Sequence, residues 1–163
     1  MAELTNIESK VGEVLGLAQA AQSSTEKVSS MTMDEELKQQ LRQMNSEAAE
    51  TEQRTTEVAD RLEGKKTAIL EKARATKQEA NEMMKTYLGS DADELDGFEF
   101  LTMAEAAEVG HWSIVDKMNE RAQLPGLQEV VDWVKPIQQR HFAQTLEGSL
   151  KLAAEEDPNA PQG

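Results

Sequence analysis

From Glu3 to about Gln22, the residues Leu4, Ile7, Val11, Val14, Leu15 and Ala18 recur in steps of three and four, which places them on one face of an α-helix. A serine-rich stretch (Ser23, Ser24, Ser29, Ser30) predicts a break, and Thr32-Met33-Asp34-Glu35 opens a second helix in a capping-box-like pattern. That helix, from about Asp34 to Glu63, has Leu37, Leu41, Met44, Ala48, Val58 and Leu62 as its apolar face, with small polar Thr51 and Thr55 in the middle. Gly64 predicts a break or kink. Lys65 to Leu88 is helical but weakly amphipathic, with a thin stripe of Ile69, Leu70, Ala73, Ala80, Met84 and Tyr87. It reads either as a crossover packed outside a bundle or as a continuation of the second helix. Gly89-Ser90-Asp91-Ala92-Asp93 is a linker. A fourth helix runs from Glu94 or Gly97 to Gln123, Leu124-Pro125-Gly126 turns, and a fifth runs from Leu127 to Glu155. Pro136 should kink the fifth between Asp132 and Lys135. Residues 156–163 read as a disordered acidic, proline-containing tail.

Composition agrees with a single all-α domain over residues 1–155. Hydrophobic residues are 38% of the 163 and aromatics only 4%, so the core must be built from Leu, Val, Ile, Met and Ala. The methionines read as core filler, and Trp112 and Trp133 as packing anchors where helices cross. Cysteine is absent, which excludes disulfides, thiolate metal sites and cysteine nucleophiles. No apolar run approaches the roughly 20 residues of a membrane span. The first residues lack a signal-peptide layout, so the expected location is the cytoplasm. The net charge of −14 makes nucleic acid and anionic membranes poor partners. A glycine-rich phosphate loop, a nucleophile elbow and a catalytic triad are all missing, which argues against a conventional enzyme.

Candidate chemistry comes from polar residues on apolar stripes. On the fourth helix the stripe is read as Leu101, Ala104, Glu108, His111, Val115, Met118 and Ala122, alternating four and three. On the fifth it is Leu127, Val130, Val134, Ile137, His141 and Leu152, so both histidines of the chain are expected inside. An antiparallel hairpin about Leu124-Pro125 sets Glu108 level with His141 and His111 level with Gln138. Glu108-x-x-His111 then faces Gln138-x-x-His141, the arrangement of bundle-core metal sites with one carboxylate replaced by Gln. Two imidazoles and one or two carboxylates suit Fe, Mn or Zn. Glu105, at the edge of the same face, and Glu8 or Glu47 from the first two helices are the candidates to complete the set. The other reading is a buried, metal-free pair of Glu108 with His111 or His141 that fixes helix register.

Three stretches resemble a known group. Glu36-Leu37 leading to Glu50-Thr51, Glu105-x-x-Glu108, and Gln138-Gln139-Arg140-His141 leading to Leu152-Ala153-Ala154-Glu155-Glu156-Asp157-Pro158 are similar to the ferritin-like superfamily, most to its bacterial stress-associated bundle family. The resemblance spans about residues 4 to 158. It implies a ferritin-like antiparallel four-helix bundle with an additional crossover helix, a homodimer, and a di-iron heritage. The chain departs from the family pattern in three places. Its second helix has no His, Gln138 stands where a ligand Glu is expected, and the only intact E-x-x-H lies on the helix that normally gives a single Glu. Those departures weigh against ferroxidase chemistry and more strongly against iron storage in a shell. The expected function is a stress-associated bundle with a degenerate transition-metal site. The alternative is a metal-free structural or interaction protein on the same scaffold.

Overall fold

The computed structural model describes residues 1–162, and all regular structure among them is helical: α1 (Asn6–Met31), α2 (Glu35–Asp60), α3 (Lys66–Tyr87), α4 (Glu94–Ala122) and α5 (Leu127–Glu155). The starts of α1, α2 and α4 are capped by polar side chains. Thr5 and Glu8 form a reciprocal capping box on α1, Asp34 accepts from the Leu37 N–H, and Asp93 and Asp96 cap α4. Gly64 (φ 72°) supplies a left-handed conformation in the turn between α2 and α3, and Gly126 (φ 78°) the one that leads into α5. Gly64 therefore separates α3 from α2, which removes the continuous-helix reading.

The serine-rich stretch does not break α1. Ser24 and Thr25 donate their hydroxyls to the Ala21 carbonyl, one turn back, and Val28 is fully buried. This back-bonding lets short polar side chains sit inside a helix, and the packing of Val28 outweighs the low propensity of the serines. At the other end of the chain, α5 is continuous through Pro136. Beyond Glu155 the residues through Gln162 are exposed and non-helical, and Gly163 lies outside the described residues.

Side-chain pairs give the directions. Asn45 reaches Gln22 and Thr25, and Glu52 accepts from Gln19 and Gln22, so α2 runs antiparallel to α1. Thr102 meets Ser149, and Lys135 meets Asp116, so α5 runs antiparallel to α4. Lys151 pairs with Asp34, and Arg140 with Glu47, which sets α5 antiparallel to α2. Gly97 lies against Val28, and His111 near Glu13, which sets α4 antiparallel to α1. These four helices form a closed square. The fifth, α3, runs parallel to α1 on its outer side, with Gly12 against Ile69 and Lys72 and Gly16 against Ala73 and Thr76. It carries the chain back along the bundle so that α4 can run parallel to α2. None of the helices is long and apolar enough to cross a membrane, among the described residues.

Two apolar clusters fill the interior. One joins Val11, Leu15, Val58, Trp112, Leu127 and Val134, and the other joins Val28, Leu37, Leu41, Met44, Phe98 and Leu101. Between them along the bundle lies a buried polar layer of Thr51, Thr55, Glu105, Glu108, Gln138, His141 and Thr145.

Candidate functional site

The polar layer exists because α4 and α5 turn carboxylate, amide and imidazole inward, opposite Thr51, Thr55 and the half-buried Glu47 of α2. The inward seam of α4 is Leu101, Glu105, Glu108, Trp112, Val115 and Asn119, all buried. This is the same four-three alternation expected from the sequence, rotated by about one residue so that Glu105 and Trp112 replace Ala104 and His111. On α5 the seam passes through Val134, Gln138, His141, Thr145 and Leu152. Glu105, Gln138 and His141 are each 2% exposed, and Glu108 4%.

The pairing across the hairpin is Glu105 with His141 and Glu108 with Gln138. His141 Nδ1 stands 3.6 Å from Glu105 Oε2. Gln138 Nε2 donates to Glu108 Oε2 at 2.7 Å. From α2, Glu47 Oε1 lies 3.3 Å from His141 Nε2, and both Glu47 oxygens accept from the Arg140 guanidinium. One imidazole therefore sits between two carboxylates from different helices. Glu47 is a pure acceptor, so Nε2 donates to it, and Nδ1 faces Glu105.

Burial raises the Glu108 carboxyl well above its ordinary value, and the neighbouring Glu105 carboxylate raises it further; the Gln138 amide opposes them only in part. Burial also raises Glu47, but there Arg140 and His141 prevail and hold it below the ordinary value. Two carboxyls a helix apart in the same layer thus favour opposite protonation states.

Two buried polar atoms in this layer have no hydrogen-bond partner: Glu105 Oε2 and Gln138 Oε1. The hydroxyls that could have served them are used elsewhere. Thr51 donates to the Glu47 carbonyl, Thr55 to the Thr51 carbonyl and Thr145 to the His141 carbonyl. A buried carboxylate oxygen without a donor costs roughly 1–3 kcal/mol or more.

Of the six candidate ligands, the fold brings together Glu47, Glu105, Glu108 and His141, and leaves out His111 and Glu8. His111 turns to the other side of α4. Its Nδ1 donates to the Ala107 carbonyl at 2.8 Å, and its Nε2 is 3.8 Å from Glu13 Oε2. The rotated seam is the reason, because Trp112 takes the inward position. Glu8 stays at the start of α1, where it accepts from the Thr5 N–H and lies 3.4 Å from Lys65. Burial raises its carboxyl, but the Thr5 amide and Lys65 outweigh that and hold it low. Arg140 and Thr145 are the members of the layer that the apolar stripes did not point to. The sequence does hold a signal for Arg140, which directly precedes His141 and so must lie beside any acidic group that approaches the imidazole from α2.

The donor set can be tested against a metal. Hard carboxylate oxygens with one imidazole suit Mn, Fe or Zn. Ligand atoms ~2.1 Å from one ion lie up to ~4.2 Å apart, which accommodates the 3.6 Å between His141 Nδ1 and Glu105 Oε2. Among the described residues, however, no three His, Asp or Glu side chains stand grouped to hold an ion as they are. Arg140 occupies Glu47 and Gln138 occupies Glu108, so a third ligand must first leave its present partner. Compared with known proteins, the chain matches no family model, no curated protein and no solved structure.

Proposed function

We propose that this chain is a ferritin-like, stress-associated bundle with a degenerate transition-metal site in its core. Glu105, His141 and Glu108 would hold the ion, and Glu47 would join once released from Arg140. The observation that carries the reading is Glu105 Oε2, buried, unpartnered and turned toward an imidazole. A cation there would satisfy that oxygen and offset the repulsion between Glu105 and Glu108. Topology supports the ferritin-like part: two antiparallel pairs joined by one long crossover are how such bundles connect. When bound, an iron, manganese or zinc ion supplies Lewis acidity, and the first two also supply electron transfer. Arg140 and Gln138 hold the carboxylates in place, and the two apolar clusters exclude bulk water on either side.

Equilibrium dialysis of chelator-stripped protein against Mn²⁺, Fe²⁺ or Zn²⁺, one at a time, tests this reading. One ion per chain is expected in the wild type and none in Glu105→Gln/His141→Ala. Protein that takes up no ion, or a double variant that takes up as much, removes the proposal. The metal-free alternative rests on a specific observation too, since Gln138 and Arg140 already satisfy part of the layer without an ion. In that reading the layer fixes helix register on an interaction scaffold. A homodimer also follows from the resemblance. Exposed Met103, Ile114, Leu146 and Leu150 on α4 and α5 are apolar surface that a second copy would cover, and sedimentation would reveal it.

A further inference from the structure

On the far side of α4 from His141 there is a second concavity. Helix α3 lies tightly on α1, where the absence of side chains at Gly12 and Gly16 allows close approach, but it scarcely touches α4. The gap between α1, α3 and α4 is a groove of about 370 Å³. Its walls are apolar, with Leu17 and Ala21 from α1, Met84 from α3, and Phe100 and Met103 from α4. Glu79, Glu108 and His111 supply its chargeable groups, and no Lys or Arg lines it.

Each feature restricts the ligand. The volume sits near the lower end of the roughly 300–1,000 Å³ of small-molecule sites, which are mostly apolar with a few convergent polar groups. Methionine and alanine walls adapt to a flexible hydrocarbon body better than to a rigid polar one. Exposed Glu79 and the absence of any basic residue from the walls, on a chain of net charge −14, disfavour an anion. His111 adds an acceptor. Its Nδ1 is engaged by the Ala107 carbonyl, which leaves Nε2, 3.8 Å from Glu13 Oε2, as the ring atom that can meet a ligand. A neutral hydrocarbon would fill the walls but leave these acceptors unused.

We propose that this groove binds a small lipophilic amine, with its hydrocarbon body against Leu17, Met84, Phe100 and Met103 and its ammonium group donating to Glu79 and His111. The site goes beyond the core-cation reading and does not require it, because the amine enters between α1, α3 and α4, whereas Glu105 and His141 meet between α4 and α5.

Titration calorimetry on the full chain with n-octylammonium, octanoate and 1-octanol tests the proposal. Octylammonium is expected to bind saturably with one site per chain, and octanoate at least about tenfold more weakly, since a desolvated charge-assisted hydrogen bond is worth roughly one decade in affinity. Glu79→Gln should weaken octylammonium by about threefold while leaving octanol unchanged. Ala107→Phe fills the groove from an exposed position and should abolish binding of all three. If Ala107→Phe does not fold, Met103→Lys, at a half-exposed position, should repel octylammonium and admit octanoate. Equal binding of octanoate and octylammonium, undiminished binding to the groove variants, or no saturable binding at all would overturn the proposal. Zn²⁺ dialysis of Ala107→Phe separates the two sites, because filling the groove leaves Glu105 and His141 untouched.

Discussion

Gly16→Ala is a sharp test of how α3 is held, because the same substitution has opposite expected signs at two helical glycines. A Cβ on Gly16 would stand 2.8 Å from Thr76 Cβ and 3.1 Å from the Ala73 carbonyl carbon, and closer still to the Ala73 oxygen. Carbon atoms pack at about 3.5–4.0 Å, so α3 would have to retreat by roughly 0.7–1 Å along that stretch. Overpacking of this kind costs typically 1–3 kcal/mol. Replacing Gly by Ala in a helix interior returns about 1 kcal/mol. The net expectation is a loss of up to about 2 kcal/mol. At Gly110, in the middle of α4, a Cβ meets nothing within 4 Å, so only the helical gain of about 1 kcal/mol remains. The two variants should therefore differ by about 1–3 kcal/mol, or roughly 2–12 °C in Tm for a domain of this size. Urea titrations at constant m-value measure the difference directly. If Gly16→Ala is stabilised as much as Gly110→Ala, α3 does not rest on α1 through its glycines, and the groove beside it loses its wall.

Further expectations concern the polar layer. Glu108 has its folded-state pKa raised, so its contribution to stability is complete below the ordinary carboxylate value and is lost as pH rises through the folded value. The stability difference between wild type and Glu108→Gln should therefore shift in favour of the variant from pH 4 toward pH 8; a pH-independent difference in thermal melts would contradict the assignment. His141→Ala leaves Glu47 and Glu105 buried without the imidazole between them and should cost about 3–5 kcal/mol. His111→Ala, half-exposed and outside the layer, should stay within about 0.5 kcal/mol; equal losses in urea would mean that the two histidines had been wrongly distinguished. Arg140→Lys keeps the charge but not the two-pronged contact with Glu47, so it should lose most of what Arg140→Gln loses, as read from denaturation midpoints.

The helices and their order were legible because the apolar spacing is regular and because Gly64, the 89–93 linker and Pro125-Gly126 are strong local signals. The exception was the serine stretch. Composition pointed to a break there, whereas Val28 and the bonds of Ser24 and Thr25 to the Ala21 carbonyl carry α1 through to Met31. The site was legible only in part. His141 sits on a seam whose phase is fixed by neighbours such as Val134 and Leu152, and so it was placed inside. On α4 apolar residues surround the helix more evenly, with Ala104, Val109, Ile114 and Met118 off the inward seam, so the phase could slip by one residue. That slip exchanged His111 for Trp112 and Ala104 for Glu105, and the hairpin register differs by three residues from the one expected about Leu124-Pro125, so Glu105 rather than Glu108 meets His141. Glu8 misled for a different reason. Its place near an apolar stripe serves a helix cap and a lysine from the next element, and periodicity does not register either contact.

The core cluster is tested most directly by a Co²⁺ titration followed through visible ligand-field absorption, run in parallel on wild type, His111→Ala and His141→Ala. Saturation at one ion per chain in the first two, with no signal in the third, is the predicted result. A signal that survives His141→Ala, or one that vanishes with His111→Ala, would contradict a cation held between Glu105, Glu108 and His141.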